Sequence, residues 1–360
     1  MMSVLHRVLR GCAPTGRLAL ALALLGMLLL LGTARSALAD ETKVHLESAS
    51  LEKLPELKTY VTVLGEDNRP IKTKSGFKLL MDSVEQKELV VKATPFVESK
   101  EPIDVIVVVQ VSAVMESALK DVKRGIEKLA KSLAKNPDSR LALVSYATEP
   151  KKLEQLGRPN EVARELDKLA IDPDASEVKM VEAARLAIDL VREQKDRRKL
   201  LILFSDGIDA MQSKDAYESV GKRAHDAGVV VDTIGYGPFE PGRLRSLIDI
   251  SKLGSGTSRG VKNTREIVDR FSEIIEEIQG SYVITFGLTQ SGDNQPHVFQ
   301  VNYRQGKEDI ASETLSLQLP VFEPAEPAGW PWWYWLLIVG GGVLLLLIIL
   351  AIIGSRMQST

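Results

Sequence analysis

The chain holds a single cysteine, Cys12, in 360 residues. No intramolecular disulfide can form, and no thiolate chemistry exists beyond residue 12, so disulfide-stapled folds and cysteine-rich metal sites are excluded. Histidine is nearly as scarce. After residue 39 only His45, His225 and His297 occur, and none stands at the spacing of a metal-ligand pair. There is no His-Glu-x-x-His, no Gly-x-Ser-x-Gly and no P-loop. The segment GSGTSRG at 254–260 has glycines like a phosphate loop but lacks its spacing and its lysine, and reads as a connection near the last strand. A basic excess is missing too: 46 Lys and Arg stand against 48 Asp and Glu, so nucleic acid is not an expected partner. Lys120, Lys123, Arg124 and Lys128 read as the solvated face of a helix. With no convergent set of catalytic groups, the chain reads as a non-enzyme.

What the chain does have is two strongly apolar ends. Residues 1–39 contain Arg7, Arg10, Arg17 and Arg35, no acid, an apolar run over 18–31, and Ala37-Leu38-Ala39. A basic start, a short apolar stretch and a small-residue site make a cleaved secretory signal. Its removal takes four arginines and no acid, so the formal charge of -2 becomes -6. Residues 335–353 are 19 positions without a charge, enough at ~1.5 Å per residue to cross a ~30 Å hydrocarbon core. All four tryptophans, Trp330, Trp332, Trp333 and Trp335, gather with Tyr334 at its start, as an interfacial aromatic belt would. The expectation is a transmembrane helix over 332–354, a short cytoplasmic tail over 355–360, and a stiff Pro-rich linker over 320–331. Such a chain is a single-pass membrane protein with its N-terminal part outside the cytoplasm. With no Asn-x-Ser/Thr acceptor and no disulfide, a bacterial inner membrane facing the periplasm is the expected setting.

Between the ends the pattern changes twice. Residues 40–102 alternate in KTYVTVL, FKLLM and ELVVKA with polar turns between, the signature of β-strands. Over 103–280, continuous apolar runs (DVIVVVQV, LALVSYA, KLLILFSD, GVVVDTIGYG) alternate with amphipathic helices. In one helix Met115, Leu119, Val122, Ile126, Leu129 and Leu133 recur at helical steps; in another Ile267, Phe271, Ile274 and Ile278 do. Continuous strands alternating with helices imply an α/β domain with a doubly wound, mostly parallel sheet covered on both faces. Residues 281–319 return to alternation in SYVITFGL and HVFQVNY. Each flank has too few strands for a sandwich core of its own. The two are expected to pair into one β-sandwich, with the α/β domain inserted between them.

In an open doubly wound sheet, ligands bind beyond the carboxyl ends of the strands. The loops there fall at 110–115, 172–180 and 205–209. The runs VVVQVSAVMES, EVKMVEAARLAIDLV, KLLILFSDGIDA and AGVVVDTIGYG resemble a von Willebrand factor A domain over residues 103–280. That resemblance implies a metal-ion-dependent adhesion site made of an Asp-x-Ser-x-Ser loop, a threonine before a later helix, and an aspartate closing the central strand. Mg²⁺ takes six oxygen ligands and leaves a position for a partner's carboxylate. Carried onto this chain, the five positions are Gln110, Ser112, Val114, Val178 and Asp206. Two of them retain the family's ligand, and one negative charge remains.

The resemblance therefore implies a degenerate site. No cofactor is expected, and Mg²⁺ would enter only if Glu177, Asp172, Asp174 or Glu116 rebuilt a different one. Ser112 is expected to cap the helix starting near Val114, Asp206 to hold a turn with Gly207, and Gln110, which can donate and accept, to tie the loops together. The functional expectation is a membrane-anchored, extracytoplasmic protein-interaction module whose edge (Gln110, Ser112, Glu177, Asp206) meets another protein without metal, with the sandwich as a stalk. The alternatives are a metal-dependent adhesin with a rebuilt cation site, and a structural or regulatory subunit of a membrane complex.

Overall fold

The computed structural model describes residues 42–323, except 66–68, 74, 87–91, 176, 195–196 and 238–243, together with residue 342. The secretory signal, most of the linker, all but one residue of the membrane span, and the tail expected from the sequence lie outside the described residues. Among those described, no helix is long and apolar enough to cross a membrane.

Five strands of the central sheet are parallel: β6 (Ile103–Gln110), β7 (Arg140–Tyr146), β9 (Arg198–Ser205), β10 (Val229–Tyr236) and β11 (Ser258–Val261). β8 (Pro150–Gly157) pairs antiparallel with β7, and the order is β11-β10-β9-β6-β7-β8. β8 and β11 are absent from the apolar-run reading for a physical reason. Both are edge strands, and an edge such as PKKLEQLG is kept polar, which hides it from a search for buried runs. GSGTSRG accordingly runs into a strand rather than ending as a connection.

Strand alternation divides the core. Val105, Val107 and Val109 of β6 lie in one core with α2 (Glu116–Leu133), α3 (Pro159–Arg164) and α7 (Arg265–Gly280). Ile106 and Val108 face the helices α4 (Met180–Val191), α5 (Lys214–Asp226) and α6 (Arg245–Leu253). α2 and α7 pack closely because Gly125 has no side chain: a Cβ there would lie 2.2 Å from the Phe271 ring. Glycine costs about 1 kcal/mol in a helix interior, and the contact it permits is what it contributes.

The flanking strands form two antiparallel sheets. One runs β1 (Lys43–Lys53), β2 (Glu56–Leu64), β12 (Tyr282–Gly287), β5 (Lys92–Pro95). The other runs β14 (Glu308–Ala311), β13 (Pro296–Gln305), β3 (Phe77–Met81), β4 (Val84–Glu85), with β15 (Leu315–Gln318) also on β13. Each sheet mixes strands from both sides of the α/β unit in sequence. Their facing residues, among them Val61, Leu79, Ile284, Phe286, Phe299 and Val301, share one core. Part of ELVVKA lies outside the described residues, and its end forms β5.

A buried ion pair and a partly buried histidine join these sheets to the base of the α/β unit. Arg198, at the start of β9, pairs with Glu47 of β1, and their side chains are 4% and 6% exposed. Arg198 also donates to Ser281 Oγ at 2.8 Å and lies over Phe96, the first residue of α1 (Phe96–Ser99), with its guanidinium carbon 4.9 Å from the ring centre. His45 Nδ1 is 3.1 Å from Glu313 Oε2, and its Nε2 is 2.9 Å from the Ser255 carbonyl.

Candidate functional site at the carboxyl edge

β6 and β9 are adjacent, so the loops that follow them meet. Gln110 ends β6 with no exposed surface. Its Nε2 donates to Ser112 Oγ at 2.8 Å. Its Oε1 accepts from Ser205 Oγ and from the Asp206 backbone N–H, both at 2.9 Å. One amide thus holds the β6 and β9 loops in register. The Ser205 hydroxyl in turn accepts from Gly207 N at 3.0 Å, and Asp206 Oδ1 accepts from Ile208 N at 3.0 Å. Gly207 has φ of 82°, where a residue with a Cβ is strained.

Ser112 does not cap a helix. A 3-10 turn, Ala113–Met115, follows it, and its hydroxyl makes no capping bond because it is turned inward to Gln110. Val114 sits on that turn, 59% exposed. Val178 is half-buried against the core beneath α4, and its carbonyl accepts from Ala210 N at 2.8 Å. Glu177, Asp172, Asp174 and Glu116 are exposed. Asp172 N donates to the Val111 carbonyl at 2.7 Å, which brings the second loop beside the first.

Sequence reasoning gave Asp209 no role. It is buried, and it caps α4 from another loop: Oδ2 accepts from Val181 N at 2.9 Å and Oδ1 from Met211 N at 2.8 Å. α4 begins after Lys179, which makes no side-chain cap, so a carboxylate from elsewhere satisfies the helix's orphan N–H and meets its positive end. The signal available was FSDGID, with a second acid three residues after the first. Tyr146, opposite Gln110 on β7, lies buried below. Burial pushes its phenol well above the usual value; a Ser205 contact opposes this, and the carboxylates of Asp206 and Asp209 reinforce it.

This donor set does not fit a hard divalent cation. Gln110 and Ser112 bond to each other, Asp206 Oδ1 holds its own turn, and Val114 and Val178 present alkyl groups. Among the described residues, no group of three or more His, Cys, Asp or Glu is arranged to hold a metal ion. The histidines are engaged elsewhere: His297 lies between Asp82 at 2.6 Å and Asp293 at 3.0 Å. His45 and His225, far apart in sequence, both meet Ser255, His225 Nδ1 at 3.4 Å from its Oγ.

The sheet is open, covered by helices on both faces, and its loops meet at the carboxyl edge. Residues 104–257, which lie within the α/β unit, match the family model of the von Willebrand factor type A domain. No match was found among curated proteins. Among solved structures, the chain is similar to the conserved hypothetical protein BatB from Bacteroides thetaiotaomicron (17% identity, 48% of this chain and 97% of that one, TM-score 0.39). It is similar to an aerotolerance-related membrane protein from Bacteroides fragilis (16%, 48% and 98%, TM-score 0.38). A third is proximal thread matrix protein 1 from the mussel byssus (14%, 54% and 49%, TM-score 0.45), about half of whose length is spanned.

Proposed function

We propose that the chain is a non-enzymatic, membrane-anchored module that binds another protein at the carboxyl edge of its α/β sheet without a divalent cation. The observation that carries this reading is the buried amide of Gln110, which makes the three hydrogen bonds that join Ser112, Ser205 and Asp206. A cation would have to break those bonds and would gain one carboxylate in return, too little charge to replace the water that Mg²⁺ holds. The exposed part of the edge is apolar at its tips: Val114 is 59% and Met211 53% exposed, on the loops after β6 and β9. Large apolar side chains held out from loops on a rigid sheet suit contact by shape rather than by metal bridging. The anchor rests on the uncharged run at 335–353 with its aromatic belt, and the extracytoplasmic placement on the basic and apolar start at 1–39.

The test is thermal unfolding of the full chain with Mg²⁺, Mn²⁺ or Ca²⁺ against EDTA. A cation at a hundred times its dissociation constant would add about 2.7 kcal/mol, a readable shift, and none is expected. A saturable shift abolished by Asp206→Ala would overturn metal independence and favour a site rebuilt with the acids of the second loop.

A further inference from the structure

At the opposite end of the α/β unit from that edge, α1, the end of α2 and the end of α7 enclose a groove of about 420 Å³. Its floor is apolar and buried: Phe96, Ile103, Leu133 and Ile278. One wall is Val97, which stands 61% exposed although it sits on a helix facing this core. The polar groups around it are already committed to one another. Gln279 Nε2 donates to Ser132 Oγ at 2.8 Å, and Ser139 Oγ accepts from Ile103 N at 3.4 Å. Asn136 Nδ2 donates to the carbonyls of Glu101 at 2.9 Å and Lys100 at 3.3 Å. An occupant is therefore offered apolar surface but few hydrogen bonds, which disfavours an extended peptide, whose amides would be left unpaired.

Charge selects the rest of the ligand. Lys100 and Lys135 line the mouth, and among the described residues neither ammonium has an ion-pair partner. Asp138 is the acid that lines it, so the rim keeps a positive excess. The Lys100 backbone is fixed in place, with φ of 58° at the end of α1 and its carbonyl held by Asn136. A volume of this order falls within the roughly 300–1,000 Å³ range of small-molecule sites. We propose that this groove binds an anionic amphiphile, of which an alkyl carboxylate is the simplest: the chain on Phe96, Leu133 and Ile278, the head between Lys100 and Lys135.

The experiment is photolabelling of the full chain with a decanoate carrying a diazirine at its chain end, with adducts mapped by mass spectrometry. Because position is read directly, probe dissolved in a membrane or detergent does not obscure the result. Adducts are expected on the segments 96–103, 132–139 and 278–279. Octanoate, nonanoate and decanoate should compete with affinities rising about fourfold per methylene, the value of burying one CH₂. Decyltrimethylammonium should compete at least about tenfold more weakly than decanoate, since the rim would repel it. Val97→Asp should abolish labelling and Lys135→Glu reduce it, with the melting temperature unchanged because both residues are exposed. Adducts confined to other segments, labelling indifferent to both substitutions, or equal competition by the cationic amphiphile would each overturn the proposal.

Discussion

Replacing Gln110 with alanine tests whether one amide holds the carboxyl edge together. The side chain is fully buried, so water is not at hand to take its place. Its removal deprives the Asp206 N–H of its acceptor, the Ser205 hydroxyl of its acceptor and Ser112 Oγ of its donor. The losses are unequal. A hydroxyl can rotate toward another acceptor, whereas the Asp206 N–H is fixed by the backbone and stays unpaired. A buried orphan donor costs ~1–3 kcal/mol, and the cavity left by the missing side chain adds ~24 cal/mol per Å³. Together these predict a loss of about 2–4 kcal/mol. Urea unfolding of the full chain, compared at constant m-value, reads it as a fall in midpoint. A loss under about 1 kcal/mol would mean that water fills the gap at little cost. The edge would then be open rather than tied, and the argument against a cation there would lose its footing.

Two further perturbations address the junction of the sheets. Burial lowers the His45 pKa, but the Glu313 hydrogen bond and the charges of Glu313, Glu47 and Asp232 outweigh it and raise the value to about 9. The folded value lies above the unfolded one near 6.5, so this stabilisation is complete below about pH 6.5 and is lost as pH rises through about 9. It amounts to on the order of 3 kcal/mol; unfolding free energies from urea titrations at pH 6 and pH 9.5 should differ by that amount more in the wild type than in His45→Asn, and parallel profiles would refute it. Arg198→Met leaves the Glu47 carboxylate buried with, among the described residues, Thr62 Oγ1 at 2.7 Å as its remaining donor, and should cost about 3–5 kcal/mol. Adding Glu47→Leu should restore much of that loss in a double-mutant cycle, and purely additive losses would show that the two charges do not act as a pair.

How much of this was legible in the sequence can be judged element by element. Runs such as DVIVVVQV and KLLILFSD announce strands buried on both faces, because a strand covered on both faces shows no alternation, and the helices between them show their period. The α/β class follows from that alternation alone. β8 escaped, because a polar edge strand has no apolar signature to read. The loop motifs were legible as residue types: where the family's ligands would stand, Gln110, Val114 and Val178 are plain in the sequence. What those residues do was not. Ser112 precedes a helical turn and looks like a cap, yet its hydroxyl serves Gln110, and Asp209 caps a helix that begins 29 residues before it in the chain.

The sequence by itself determined the local matters: which segments are buried strands and amphipathic helices, which faces are apolar, and which ligand types the edge lacks. These depend on neighbours a few residues apart, and periodicity and composition record them directly. Only the tertiary structure decided that β12 pairs with β2 and β5, that β13 pairs with β3, and that Arg198 finds Glu47 across 151 residues of chain. It also decided that Gln110 and Asp206, 96 residues apart, share a hydrogen bond. Such pairings are set by which buried polar groups can satisfy each other once the sheets are packed, and no local pattern carries that information.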